Sequence, residues 1–288
     1  MASDSDDLRM QARGGGSLLL AWQLQDKRVL IVGGGEVASQ RIESILVADG
    51  YITLLCPEKG LHPRTRRFIE ERADRITYYD RRFTGPAELH KMDLVLTAID
   101  DVNRSREICE LCRKAKIPVN VADIPDSCDF YFGSQILDLP LQVMVSTNGN
   151  GPRMASLIKT RLENALSGTE GKALKKVGVL RAQLKKRAPG TGGPVGRKRM
   201  KWMSTLCNSW EMEDFSLLDD AMIKRLLDEG WEKNHVPTFE DVGGKHPPGA
   251  KVPQARGTQM TTSLLLPSAI GFIAGALCTT WIFVFWRR

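Results

Sequence analysis

The chain has 288 residues, 42% of them hydrophobic and 26% charged, with a net charge of +7. That length accommodates two domains, and the composition excludes a wholly disordered chain, a collagen and a disulfide-framework miniprotein. The positive surplus is local: residues 172–201 hold eleven Lys or Arg and no acid, so the rest is slightly acidic.

The opening stretch, MASDSDDLRMQARGGGS, has no apolar core and reads as neither a secretory signal nor an Arg-rich transit peptide. Lys27–Val32 is a short β-rich run that ends in three glycines, and Glu36–Val47 follows with helical apolar spacing. Further strands are expected at Tyr51–Leu55, Ile76–Tyr79, Asp93–Thr97 and Pro118–Val121, with a helix over Asn103–Ala115. This alternation predicts a parallel sheet with helices on its faces. The pattern then changes. Phe130–Ile136 and Leu141–Ser146 read as two strands joined across Leu137–Pro140, and a loop, STNGNG, leads to a helix opening at Pro152. Residues 169–187 and 200–229 read as helical, separated by the Gly- and Pro-rich 189–196. Residues 236–262 read as a linker.

Residues 257–286 carry no charged side chain, and Leu264–Trp286 is mostly apolar. As a helix, this segment would run about 35 Å, enough to cross a bilayer of about 30 Å. Trp281, Trp286, Arg287 and Arg288 suit an interface, and Gly271 and Gly275 form a small-xxx-small pair. A transmembrane helix at 263–286 is therefore expected, a single-pass tail anchor with the catalytic part facing the cytosol. The six cysteines show no framework spacing and are read as reduced thiols on that side.

Gly33-Gly34-Gly35-Glu36-Val37-Ala38 fits G-x-G-x-x-A, after a strand and at the start of a helix. Gly33 permits the tight turn, Gly35 lets a pyrophosphate approach the backbone, and Ala38 lets the helix pack closely. The free N–H groups at the helix start favour phosphate. Glu58 is the nearest acid after the second strand and the candidate for the ribose hydroxyls, although it lies slightly beyond the usual spacing. Only Lys59 is basic at that strand end, which favours NAD over NADP. No Tyr-x-x-x-Lys follows any tyrosine, and no Cys–His–Glu cluster suggests a catalytic zinc. Cys109-x-x-Cys112 has no second pair and reads as helix packing.

Three runs then carry a resemblance: LLLAWQLQDKRVLIVGGGEVA, VNVADIPDSCDFYFGS and VMVSTNGNGPRMASLIKTRLE. Together they resemble the siroheme synthase family, in particular its fungal bifunctional branch, over about residues 17–230. The resemblance implies an NAD-binding Rossmann domain (17–125), a dimerisation region (126–168), a helical domain (169–235), and a homodimer. It implies NAD-dependent oxidation of precorrin-2 to sirohydrochlorin and, in the bifunctional branch, insertion of ferrous iron to give siroheme.

The resemblance also assigns residues. Asp123 matches the catalytic aspartate, a position at a strand's carboxyl end where open α/β sheets bind ligands. Ser146, Thr147, Asn148, Gly149 and Arg153 match the tetrapyrrole-binding loop, whose backbone N–H groups and guanidinium suit carboxylates. Gly151 departs from the serine common in the family. Two readings of 172–201 stay open, a lining of the substrate cleft or a solvated or membrane-facing surface. The stretch lacks interleaved aromatics, so nucleic acid is not an expected partner. Two functional alternatives also stay open: a dehydrogenase without chelatase activity, and a dinucleotide-sensing module without catalysis.

Overall fold

A computed structural model describes residues 15–245. They fall into two compact units, residues 15–137 with 142–165, and residues 138–141 with 166–245.

The first unit is built on five parallel strands: β1 (Arg28–Val32), β2 (Tyr51–Leu55), β3 (Ile76–Tyr79), β4 (Leu94–Thr97) and β5 (Val119–Val121). Their order is β3-β2-β1-β4-β5, with Val29 opposite Ile52 on one side and Leu94 on the other. Helices α1 (Glu36–Val47), α2 (Pro63–Glu71) and α3 (Val102–Ala115) connect them. The strands read as continuous apolar runs because both faces of a parallel sheet are covered. Alternate residues go to opposite faces. Val29, Ile31, Leu54 and Leu96 pack with Ala38, Ile42 and Ile45 of α1. Leu30, Val32, Val95 and Val121 pack with Ile108, Cys109 and Cys112 of α3.

The helix boundaries follow local chemistry. The α2 helix, not apparent from periodicity, starts at Pro63 behind His62, whose Nδ1 accepts from Arg64 N at 3.2 Å. The α3 helix is capped by Asp101, which accepts from Arg104 N at 2.9 Å. It ends at Lys116 in the left-handed region. Beyond β5, β6 (Ser134–Asp138) and β7 (Leu141–Val145) form a two-stranded sheet, and α4 (Pro152–Ala165) closes the unit.

The second unit is helical: α5 (Glu170–Arg187), α6 (Gly193–Ser209), α7 (Met212–Leu217) and α8 (Asp220–Arg225), continued by a π-helical turn at Leu226–Trp231. The α6 helix begins inside the Gly/Pro-rich stretch, with Pro194 in its first turn, where a missing N–H costs nothing. The core holds Leu180, Leu184, Leu206, Phe215 and Leu226, with the Trp202 and Trp231 rings edge to face at 6.0 Å. Trp202 Nε1 donates to His235 O at 2.7 Å and Trp210 Nε1 donates to Pro237 O at 3.0 Å. These bonds hold the next segment down, so Phe239 and Val242, in a stretch that composition reads as linker, are buried in this core.

The expected membrane anchor requires correction. Among the described residues no helix is long and apolar enough to cross a membrane, and 264–286 itself lies outside them. The longest described helix, α5, has 18 residues but carries seven Lys or Arg and Glu170, charges that a bilayer interior disfavours. The fold class of the described residues is an α/β Rossmann-like unit with a helical carboxyl-terminal unit, and among them no helix is long and apolar enough to cross a membrane. The membrane partner and the tail-anchored, cytosol-facing location rest on that segment, and no described helix supports them.

Candidate active site

The strand order reverses between β1 and β4, and a crevice for ligands opens at such a switch point, beyond the carboxyl ends of the strands. The glycine loop stands there. Gly33 has φ +112°, and a Cβ on it would lie 2.0 Å from the Ala98 carbonyl oxygen in the loop after β4. Only glycine fits, for both reasons. A Cβ on Gly34 would lie 2.7 Å from Cys56 Sγ and from Leu61 Cδ2. Gly35 differs, because its missing side chain faces open space. It is the N-cap of α1, and no side chain caps it. The first N–H bonded within the helix is that of Ser39, to Gly35 O at 3.0 Å. The N–H groups of Glu36, Val37 and Ala38 are therefore left for an anion, supported by the helix dipole. Ala38 is fully buried, as close packing demands. This cradle fits a dinucleotide pyrophosphate.

Glu58 follows β2 and accepts from Arg66 Nη1 at 2.9 Å, while its own N–H donates to Asp80 Oδ1 at 2.7 Å. The Glu58 carboxylate remains largely exposed. Spacing alone missed both neighbours. Arg66 reaches this strand end from α2, and Asp80 comes from the turn after β3.

Asp123 lies two residues past β5, in the left-handed region at φ +61°. Ala122 N donates to Thr97 O at 2.9 Å, which ties the turn to β4. Cys128 braces it from within. Its thiol donates to Val121 O at 3.1 Å, and Sγ accepts from Val121 N at 3.3 Å and from Asn120 Nδ2 at 3.4 Å. The short helical turn Pro125–Ser127 is N-capped by Ile124 without a side-chain bond, so Asp123 is not spent as a cap. Its side chain makes no hydrogen bond or ion pair with the described residues and stands exposed. With β4 alone between β1 and β5, the carboxylate's strand lies about 10 Å from the strand of the glycine loop.

Arg41, which no motif marks, extends from α1 toward this turn. Its guanidinium carbon lies 3.7 Å from the Phe132 ring centroid, and it feels the Cys128 thiol and the Asp123 carboxylate through space. Burial pushes both the Arg41 guanidinium below and the Cys128 thiol above their ordinary pKa.

The loop Ser146–Gly151 joins β7 to α4 in the same unit. Asn148 and Gly149 have positive φ, +51° and +80°. Ser146 Oγ accepts from Asn148 N at 3.2 Å, and Thr147 Oγ1 accepts from Gly151 N at 3.3 Å. Asn148 Nδ2 donates to Gly15 O at 2.9 Å, and the Ser17 hydroxyl donates to Asn148 Oδ1. Arg153 is exposed at the start of α4. A Cβ on Gly151 would meet only Met154, at 3.5 Å, so a serine would fit there.

In the second unit, part of the basic stretch is already engaged. Arg187 pairs with Asp228 at 2.5 Å, and Arg199 donates to the carbonyls of Ala188 and Gly190. Lys198 lies 4.6 Å over the Trp231 ring. Among the described residues no cluster of three or more His, Cys, Asp or Glu is arranged to hold a metal ion.

Comparison with known proteins agrees with this architecture. A family model described as NAD(P)-binding matches residues 20–134. The models for the central and C-terminal parts of sirohaem biosynthesis proteins match 138–165 and 168–237. A siroheme biosynthesis protein of Schizosaccharomyces pombe is 44% identical over 228 residues, 79% of this chain and 84% of its own length. Its counterpart in Saccharomyces cerevisiae is 31% identical over 74% of this chain and 89% of its own length. The solved structure of SirC, a precorrin-2 dehydrogenase, superposes with a TM-score of 0.53 over 74% of this chain and 98% of its own, at 18% identity, a likeness of fold.

Proposed function

This chain belongs to the siroheme synthase family, and on that premise we propose that it oxidises precorrin-2 to sirohydrochlorin with NAD and inserts ferrous iron into the product. The observation that carries the reading is Asp123, an exposed and unpaired carboxylate beside the phosphate cradle, presented by a braced turn.

The oxidation removes a hydride and a proton from the tetrapyrrole. Bound NAD supplies the hydride acceptor. The Asp123 carboxylate accepts the proton, and its position at the sheet's carboxyl edge lets it reach a ring laid against the crevice. Gly33, Gly34, Gly35, Glu36, Val37 and Ala38 hold the pyrophosphate, chiefly through the backbone N–H groups of α1. Glu58 takes the ribose hydroxyls on its exposed edge, with Arg66 holding the carboxylate in place. Metal insertion needs the loss of two pyrrole protons; the same carboxylate accepts each in turn and passes it to solvent before taking the next. Iron is a substrate in this scheme.

Ser146, Thr147, Asn148, Gly149 and Arg153 form the substrate loop. Arg153 is free to pair with a carboxylate arm of the tetrapyrrole.

The enzyme works as a homodimer. Met154, Leu157, Ile158 and Leu162 expose an apolar stripe along α4. In the same unit a groove of about 830 Å3 is lined by Leu18, Leu20, Trp22, Phe130, Leu137 and Met144. These exposed apolar residues support an interface, and a twofold dimer is the commonest way to cover them.

The test incubates the full chain with precorrin-2 and NAD, with and without ferrous iron, beside Asp123→Ala. Reduced nicotinamide and then an iron-dependent siroheme spectrum are expected from the wild type and neither from the variant. A folded, NAD-binding protein that reduces no NAD would overturn the reading.

A further inference from the structure

Arg41 occupies an unusual place for a cation. It stands on the α1 helix, five residues past its first, which puts it about 7.5 Å further along the axis than the phosphate cradle. It is half-buried, with its guanidinium carbon over the Phe132 ring, 3.7 Å from the centroid. Among the described residues no acceptor takes a hydrogen bond or forms an ion pair with its N–H groups. The charged or titratable groups that face it are Asp123 and the Cys128 thiol, both felt only through space.

A partly desolvated guanidinium with unfilled donors is costly, and such groups are ordinarily satisfied by a partner. Stacking on an aromatic ring holds the guanidinium plane and leaves its edge free, an arrangement suited to a bidentate carboxylate. Asp123 is near but not bonded, so it keeps its lone pairs for proton transfer. The precorrin and its product are polycarboxylates. An acidic arm brought next to Asp123 would be repelled by it unless a cation stood alongside.

We propose that Arg41 is a substrate-binding residue that grips a carboxylate arm of the tetrapyrrole and so seats the macrocycle edge against Asp123. This deepens the assignment made above and rests on it. Burial, which lowers the guanidinium pKa, also strengthens the pair once the carboxylate arrives.

The test is an equilibrium titration of the full chain with sirohydrochlorin, followed by tetrapyrrole absorbance, and separately with NAD. Arg41→Met keeps an apolar stem on Phe132 and removes the charge; Arg41→Lys keeps the charge and loses the fork. A melting curve for each variant shows that it folds. Arg41→Met is expected to weaken sirohydrochlorin binding about ten- to hundredfold, the range for hydrogen bonds to charged groups. Arg41→Lys should recover part of this, and NAD affinity should not move. In turnover, KM for precorrin-2 should rise by more than kcat falls. Sirohydrochlorin binding unchanged in Arg41→Met would overturn the proposal, as would a loss confined to NAD, which would make Arg41 a cofactor contact. Wild-type protein that binds no sirohydrochlorin would instead bring down the functional assignment itself, and the proposal with it.

Discussion

A side chain at Gly33 would occupy the place of the Ala98 carbonyl oxygen, 2.0 Å from where its Cβ would stand. The loops that follow β1 and β4 therefore meet at the point where strand order reverses, and the cofactor crevice is built on that contact. Gly33→Ala should destabilise the Rossmann unit and abolish NAD binding together, since backbone must move. Gly35→Ala meets nothing within 4 Å. It should fold with a near-normal melting temperature while binding NAD at least about tenfold more weakly, because the new methyl occupies the phosphate's approach. Paired melting and NAD titrations check both.

If Asp123 is the proton acceptor proposed above, Asp123→Asn keeps the shape of the turn and removes the base. NAD affinity should be preserved, and oxidation of precorrin-2 should fall about 10²- to 10⁴-fold, the usual worth of a positioned proton acceptor. Stopped-flow measurement of nicotinamide absorbance gives the rate. A loss under tenfold would remove Asp123 from the chemistry.

Cys112 is wholly buried against the sheet, and burial pushes its thiol up to about 12 from an ordinary 9.0. The folded state holds that proton more tightly than the unfolded chain. Stability from this group is thus intact below pH 9 and is lost as pH rises toward 12, by about 4 kcal/mol over that span. Urea titrations at pH 8 and pH 11 should show a steeper alkaline loss in the wild type than in Cys112→Ala.

Leu157 and Leu162 lie exposed on α4, 44% and 41% accessible. Leu157→Arg with Leu162→Arg should shift the protein from dimer to monomer in sedimentation equilibrium, without lowering the melting temperature of the monomer. A wild-type chain that sediments as a monomer would remove the homodimer from the account.

Leu180 is fully buried in the helical unit. Leu180→Ala should cost about 2–5 kcal/mol of that unit's stability, the ordinary range for a cavity left by a leucine. Chemical denaturation followed by tryptophan fluorescence reads it directly, since Trp202, Trp210 and Trp231 share the same core.

The amino-acid sequence by itself determined the alternation of strand and helix through β5, because a parallel sheet buried on both faces leaves unbroken apolar runs punctuated by glycine. It also marked Gly33–Ala38 and, through family resemblance, Asp123. What escaped it was long-range. Local periodicity cannot show that Arg66 of α2 returns to Glu58, that the Cys128 thiol braces the turn carrying Asp123, or that Arg41 stacks on Phe132, ninety-one positions away. Nor did it show that Phe239 and Val242 are buried, because Trp202 and Trp210 hold the chain there by indole hydrogen bonds. Uncharged composition at 264–286 suggested a bilayer; that segment lies outside the described residues, among which no helix is long and apolar enough to cross one. Propensity and pattern act over a few residues. The site is an agreement among segments far apart in the chain, and only tertiary packing decides which of them meet.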